Sequence, residues 1–150
     1  MMKNEFVATG LVLNEQKDKI LLIFHRKFGK WMPPGGHLEP NELPHEAVAR
    51  EVFEETGVKA AVLCSGRPLV LASQGEQPLP VPYCILHERI PASPKQDEHM
   101  HVDFIYLMQA AEQNLVPALQ EVREARWFSK SEALVCQTFE SVKALCQQIF

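Results

Sequence analysis

No run of apolar residues in the 150-residue chain approaches the roughly 18 that a membrane-crossing helix needs. The opening MMKNEFVATG has no apolar stretch of the signal-peptide kind either. Positive charge is in short supply, with 15 Lys and Arg against 19 Asp and Glu for a net charge of −4, whereas general nucleic-acid binders are usually basic. That balance leaves room for a phosphorylated small molecule, because a bound cation supplies local positive charge. Cysteine is sparse, and Cys64, Cys84, Cys136 and Cys146 form no C-x-x-C pair, which argues against a zinc site and for reduced, mostly buried thiols. Internal repeats, low-complexity tracts and linkers are missing. What remains is an ordinary globular composition, 46% hydrophobic and 23% charged. One domain, residues 1–150, is expected, in a soluble cytoplasmic protein that engages neither membrane nor nucleic acid.

The most informative stretch is 36–58, GHLEPNELPHEAVAREVFEETGV. Its pattern is G-x5-E-x7-R-E-U-x-E-E-x-G-U, with U a bulky aliphatic residue. Gly36, Glu42, Arg50, Glu51, Val52, Glu54, Glu55, Gly57 and Val58 fill the nine positions. With each fixed residue drawn at about 7%, a match at one start is roughly a one-in-a-billion event. Pro33-Pro34-Gly35-Gly36 continues neither strand nor helix and reads as a loop that lets backbone approach a ligand. Residues 43–56 contain no helix breaker, Pro44 suits a first turn, and Gly57 is a stop. At about 100° per residue, Glu51, Glu54 and Glu55 share one side of that helix. Ala49, Val52 and Phe53 are expected on the other side, against a core. Glu51 faces Glu54 and Glu55 at i,i+3 and i,i+4, each like-charge pair costing about 0.2–0.5 kcal/mol. A hard divalent cation offsets that cost and calls for this kind of oxygen cluster.

That pattern resembles the signature box of the Nudix hydrolases. Trp31 and Pro34-Gly35-Gly36 look like the family's lead-in, and Ala125-Arg126-Trp127-Phe128 is similar to its late strand. The resemblance implies an α/β/α sandwich with a mixed sheet, and hydrolysis of a nucleoside diphosphate linked to some moiety X. It implies Mg2+ or Mn2+ held by Glu51, Glu54 and Glu55 and by the Gly36 carbonyl. It assigns Arg50 the orienting of the glutamates and Glu42 the bracing of the loop, and makes Glu54, Arg50 and Glu51 the catalytic group. Members of the family often take a further ligand or base from a loop glutamate, for which Glu98, Glu121 and Glu124 are candidates. Many pair as homodimers, and no stretch here identifies an interface.

Outside the box, residues 6–13 and 19–25 read as a hairpin, 83–90 and 99–109 as strands, and 125–128 as a short strand. Residues 59–72 read as a strand interrupted at Gly66-Arg67-Pro68. Ser129-Lys130-Ser131-Glu132 is a capping box, and 138–150 an amphipathic helix. Arg26 and Lys27, at the end of the second strand, are candidates to meet substrate phosphate. His99, His101 and Asp103 share one strand face by alternation. They are open to substrate contact, a structural role or metal binding, with Asp103 orienting a histidine. Trp31 is expected to plug the core rather than stack on a base, and His37 to be structural. Two other readings stay open: a catalytically idle nucleotide-sensing domain of the same fold, and an isoprenoid-diphosphate isomerase. The intact box argues against both.

Overall fold

The computed structural model describes residues 1–64, 66 and 69–150. Strand β1 (Asn4–Leu13) turns into β2 (Lys19–His25) through Asn14, whose buried side-chain oxygen accepts from the backbone N–H groups of Asp18 and Lys19, both at 3.0 Å. β3 (Lys30–Met32) and β4 (Gly35–His37) follow, then helix α1 (Pro44–Thr56) and β5 (Ala61–Val62). The chain closes with β6 (Cys84–Ile90), β7 (His99–Gln109), β8 (Val122–Ser129), α2 (Lys130–Val135) and α3 (Glu140–Ile149). The eight strands form one mixed sheet in which β1 and β7 run parallel and every other described pair is antiparallel.

Alternation assigns the two faces. Ala8 and Val12 of β1 and Tyr106 and Met108 of β7 point to one side, where Ala47, Val48 and Val52 of α1 cover them. Leu11, Leu13, Ile20, Leu22 and Ile105 point to the other, against Ala133 of α2 and Val142 and Cys146 of α3. Residues 20–23 are buried on both faces, as their unbroken apolar run implies. Helices on both sides of a mixed sheet make the α/β/α sandwich expected from the sequence.

Three expectations need correction. The inward stripe of α1 is Ala47, Val48, Val52, Glu55 and Thr56, whereas Ala49 and Phe53 are exposed. From Val48 to Glu55 is seven residues, about 700°, which brings Glu55 back under the same side as Val48. Among the described residues of 59–72 only β5 is extended, and the expected interruption falls partly on Arg67 and Pro68, outside the described residues. Cys64 is exposed, so burial holds for Cys146 and only partly for Cys84 and Cys136.

The sheet departs from regularity beside the box. β1 keeps a single described register pair with β2, Leu13 with Ile20. Further along, its edge is taken by β4, with Val7 opposite His37, Ala8 opposite Gly36 and Thr9 opposite Gly35. The Gly10 N–H also donates to the Pro34 carbonyl at 2.9 Å. Pro33 and Pro34 thus form a loop, whereas Gly35 and Gly36, expected in it, pair with β1 as part of β4, and together they enter between diverging strands and deliver the start of the box to the sheet.

Candidate active site

The glutamates of α1 meet this loop. Gly57 ends the helix in the left-handed region at φ 75°, and Glu46 accepts from the Leu43 N–H at 3.1 Å at its start. Gly36 lies directly on the Glu51 carboxylate, and a Cβ there would overlap it. Next to it, the Gly35 N–H donates to Glu55 Oε1 at 2.8 Å. Glu55, 3% exposed, is therefore not presented outward as expected but held under the loop. Glu54 is open to solvent, its side chain 55% exposed.

Arg50 ties the group together. Its Nε and Nη2 donate to the two oxygens of Glu42 at 2.7 and 2.9 Å, a bidentate pair. Nη1 donates to Glu51 at 2.8 Å and to Glu54 at 3.2 Å, and Nη2 also reaches the His37 carbonyl at 3.0 Å. Glu42 in turn accepts from the Glu39 N–H at 2.9 Å. The guanidinium holds Glu42 below the usual carboxylate range. It does not do so for the others. Burial raises Glu51 against the opposing Arg50 bond, and the charges of Glu54 and Glu121 add to it. Burial pushes Glu55 up to about 8 despite the Gly35 bond, with Glu51, Glu121 and Glu54 adding to it.

Glu51 lines a cleft of about 1160 Å3 on the α2/α3 side of the sheet. Arg26 and Lys27 line it too, Arg26 with its Nε fixed on the Leu119 carbonyl at 2.8 Å. Of the three loop glutamates, Glu121 faces the box, whereas Glu98 pairs with Arg89 at 2.6 Å on the surface and Glu124 lies opposite Phe24 in β8. His99, His101 and Asp103 all reach the cleft, as alternation along β7 requires. Asp103 does not orient either histidine. It accepts from Thr9 Oγ1 at 2.8 Å, and its buried Oδ1 has no partner among the described residues. Burial and the charge of Glu88 push Asp103 up to about 7, against the Thr9 bond. His99 donates instead to the Asp97 carbonyl, 2.8 Å from Nδ1. Glu5 is the residue that sequence reasoning missed. It lies beside His101 in the parallel register, and only that pairing brings it to the site. His37 reaches Glu5 at 2.8 Å. Trp31 packs edge-on against Phe128 and Phe24 and against the core on the α3 side.

A NUDIX domain model matches residues 4–145. The chain belongs to the NUDIX family. A NUDIX hydrolase from Clostridium perfringens has a similar structure, with a TM-score of 0.80 at 28% identity, covering 99% of this chain and 97% of that one. An Ap4A hydrolase from C. elegans shares the fold, with a TM-score of 0.60 at 15% identity, covering 95% and 92%. Among curated relatives, human diphosphoinositol polyphosphate phosphohydrolase 3-alpha is 39% identical over 66 residues, 43% of this chain and 38% of that protein. The chain thus spans well under half the length of that relative. Among the described residues no helix is long and apolar enough to cross a membrane.

The burial of Glu55 and Asp103 has a measurable consequence in the metal-free protein. A carboxyl whose folded pKa is raised holds its proton more tightly folded than unfolded. Its contribution to stability is complete below the unfolded values, 4.5 and 3.8, and is lost as pH rises through about 8 for Glu55 and about 7 for Asp103. His25 and His101, both lowered by burial, act in the opposite direction below their ordinary value of 6.5. The clear window is therefore about pH 6.5 to 8. Chelated protein is expected to lose about 2 kcal/mol across it, or about 4–8 °C in Tm for a chain of this size. A melting temperature flat or rising with pH in chelator would refute the assignment.

Proposed function

We propose that this chain is a divalent-cation-dependent pyrophosphohydrolase that cleaves nucleoside diphosphates linked to a further moiety. One observation carries the reading: Glu51, Glu54, Glu55 and Glu121 converge beside Gly35 and Gly36, with the Arg50 guanidinium bonded to two of them. A buried carboxyl pushed up to about 8 by burial and by its acidic neighbours fits a hard cation and is poorly placed without one. Glu51, Glu54 and Glu55, with the Gly36 carbonyl, are the residues that would hold Mg2+ or Mn2+. Bound there, the ion offsets charge on diphosphate oxygens and lowers the pKa of a water.

The chain's own groups do the rest. Arg50 fixes the rotamers of Glu51 and Glu54 while Glu42 fixes Arg50. Glu54, open to solvent, takes the proton of the attacking water, and Glu121 is the second candidate for that role. Arg26 and Lys27, on the same cleft, meet the negative charge of the leaving phosphate.

The far wall of the cleft bears on the substrate. Asp103 offers an unpartnered buried oxygen there, and Glu88, raised by burial, lies on the same cleft. Acidic groups of this kind accept from N–H donors such as a nucleobase carries. A polyphosphorylated inositol has no such donors and would set its charge against them. A release screen with Mg2+ or Mn2+ should cover (d)NTPs, ADP-ribose, nucleotide sugars, dinucleoside polyphosphates and diphosphoinositol polyphosphates. Metal-dependent cleavage is expected within the nucleotide classes. Preferential cleavage of the inositol substrate would overturn the substrate assignment. Silence throughout, with nucleotide binding still visible by thermal shift, would favour an idle sensing domain.

A further inference from the structure

Glu5, His99 and His101 form a second cluster that the hydrolytic scheme does not use. His99 is 4% exposed, and its Nε2 lies 3.2 Å from His101 Nε2 and 3.6 Å from Glu5 Oε2. All three donor atoms lie within 4.8 Å of one another. Ligands about 2.0–2.1 Å from a tetrahedral ion stand about 3.3–3.5 Å apart, so these two separations fall within about 0.1 Å of that range. The tautomer matches as well. His99 gives its Nδ1 proton to the Asp97 carbonyl at 2.8 Å, which leaves the Nε2 lone pair facing the other two groups. A backbone carbonyl on the far nitrogen is the usual partner of a metal-ligating histidine.

Two neighbouring strands hold the three in place. Glu5 and His101 are register partners on the parallel strands β1 and β7, and His99 lies two residues back on the same face of β7. A third imidazole, His37, lies beside them, its Nε2 2.8 Å from Glu5 Oε2 and its ring edge-on to His101 at 5.1 Å. Lys3 and Gln96 also bind Glu5, which fixes the carboxylate and leaves the two histidine nitrogens without any other described partner on the cluster side.

We propose that Glu5, His99 and His101 bind a borderline divalent cation of the Zn2+ class, at a site separate from the box glutamates. Two imidazoles and one carboxylate select zinc, nickel or cobalt over magnesium, whereas the all-oxygen box selects the reverse. Three protein ligands leave a tetrahedral ion one further position, for His37 or for an oxygen of a molecule in the cleft. Binding at this cluster needs no catalytic activity and is independent of the hydrolase reading.

The test is calorimetric titration of the chelated full chain with Zn2+ in excess Mg2+. One Zn2+ per chain with micromolar or tighter affinity is expected. His101→Asn and Glu5→Gln should each weaken it by at least about tenfold, the lower end of what even supporting residues contribute at such sites. Glu54→Gln should leave it unchanged. Zinc-edge X-ray absorption on the wild-type complex decides the matter even where a variant folds poorly, since two or more imidazoles in the shell are expected. Three results would each overturn the proposal: no binding, an all-oxygen shell, or binding that persists in His101→Asn and disappears in Glu54→Gln.

Discussion

Glu54→Gln is expected to lower kcat by about 10²–10⁴-fold, the range that a positioned general base contributes, while Tm barely moves. The side chain is 55% exposed, and its one described bond is the 3.2 Å contact with Arg50 Nη1, which that nitrogen shares with Glu51 at 2.8 Å. Glutamine keeps the volume and an acceptor oxygen, so the fold should stay within about 0.5 kcal/mol, as surface substitutions do. What the amide cannot do is take a proton from water or contribute a negative oxygen to a hard cation. Steady-state kinetics on the best substrate of the release screen, paired with a melting curve, checks both halves. Activity retained within tenfold would remove Glu54 from any essential role. The same measurement on Glu121→Gln separates the two candidate bases. The one that accepts the water proton should lose kcat that excess Mg2+ does not restore, even where the Mg2+ concentration required also rises. A pure ligand should shift that requirement and recover part of its activity at high Mg2+.

The layers of the fold are legible in the sequence because alternation and helical spacing act locally. The apolar run at 20–23, the capping box at Ser129 and the positions of β2 and β7 follow from neighbours a few residues away. The box pattern locates Glu51, Glu54 and Glu55 but not their environments. A carboxylate is normally exposed, so spacing alone puts Glu55 on the solvent side. In the structure the Gly35 N–H and the loop above it make burial tolerable, and that contact spans 20 residues. The same error of phase turns Ala49 and Phe53 inward on paper and outward in the fold. Glu5 is invisible for a different reason. Its partners His99 and His101 reach it only through the parallel pairing of β1 with β7, some 94 to 96 residues away, and no periodicity in either strand encodes that register. The prolines and glycines at 59–82 signal an interruption without fixing how little of its described part is extended.

Arg50 offers the largest structural test. Five described donor contacts converge on it: both oxygens of Glu42, Glu51, Glu54 and the His37 carbonyl. Arg50→Ala strips the partner from Glu42 and Glu51, whose side chains are 13% and 14% exposed, and leaves two largely enclosed carboxylates uncompensated. Leaving a buried charged acceptor without its partner costs about 1–3 kcal/mol or more, so Tm should fall by several degrees. The like-charge pairs within the box, no longer screened by the guanidinium, should push Glu51 and Glu54 apart and lower kcat in addition. Arg50→Lys discriminates charge from geometry. An ammonium keeps the positive charge but cannot span Glu42 with a bidentate fork while also reaching Glu51. If Arg50 positions the glutamates, the lysine variant should regain part of the stability and little of the activity, with a raised Mg2+ requirement. Full recovery of both by lysine would reduce Arg50 to a charge neutraliser and leave the orientation of Glu51 and Glu54 to the packing of α1 against Gly35 and Gly36.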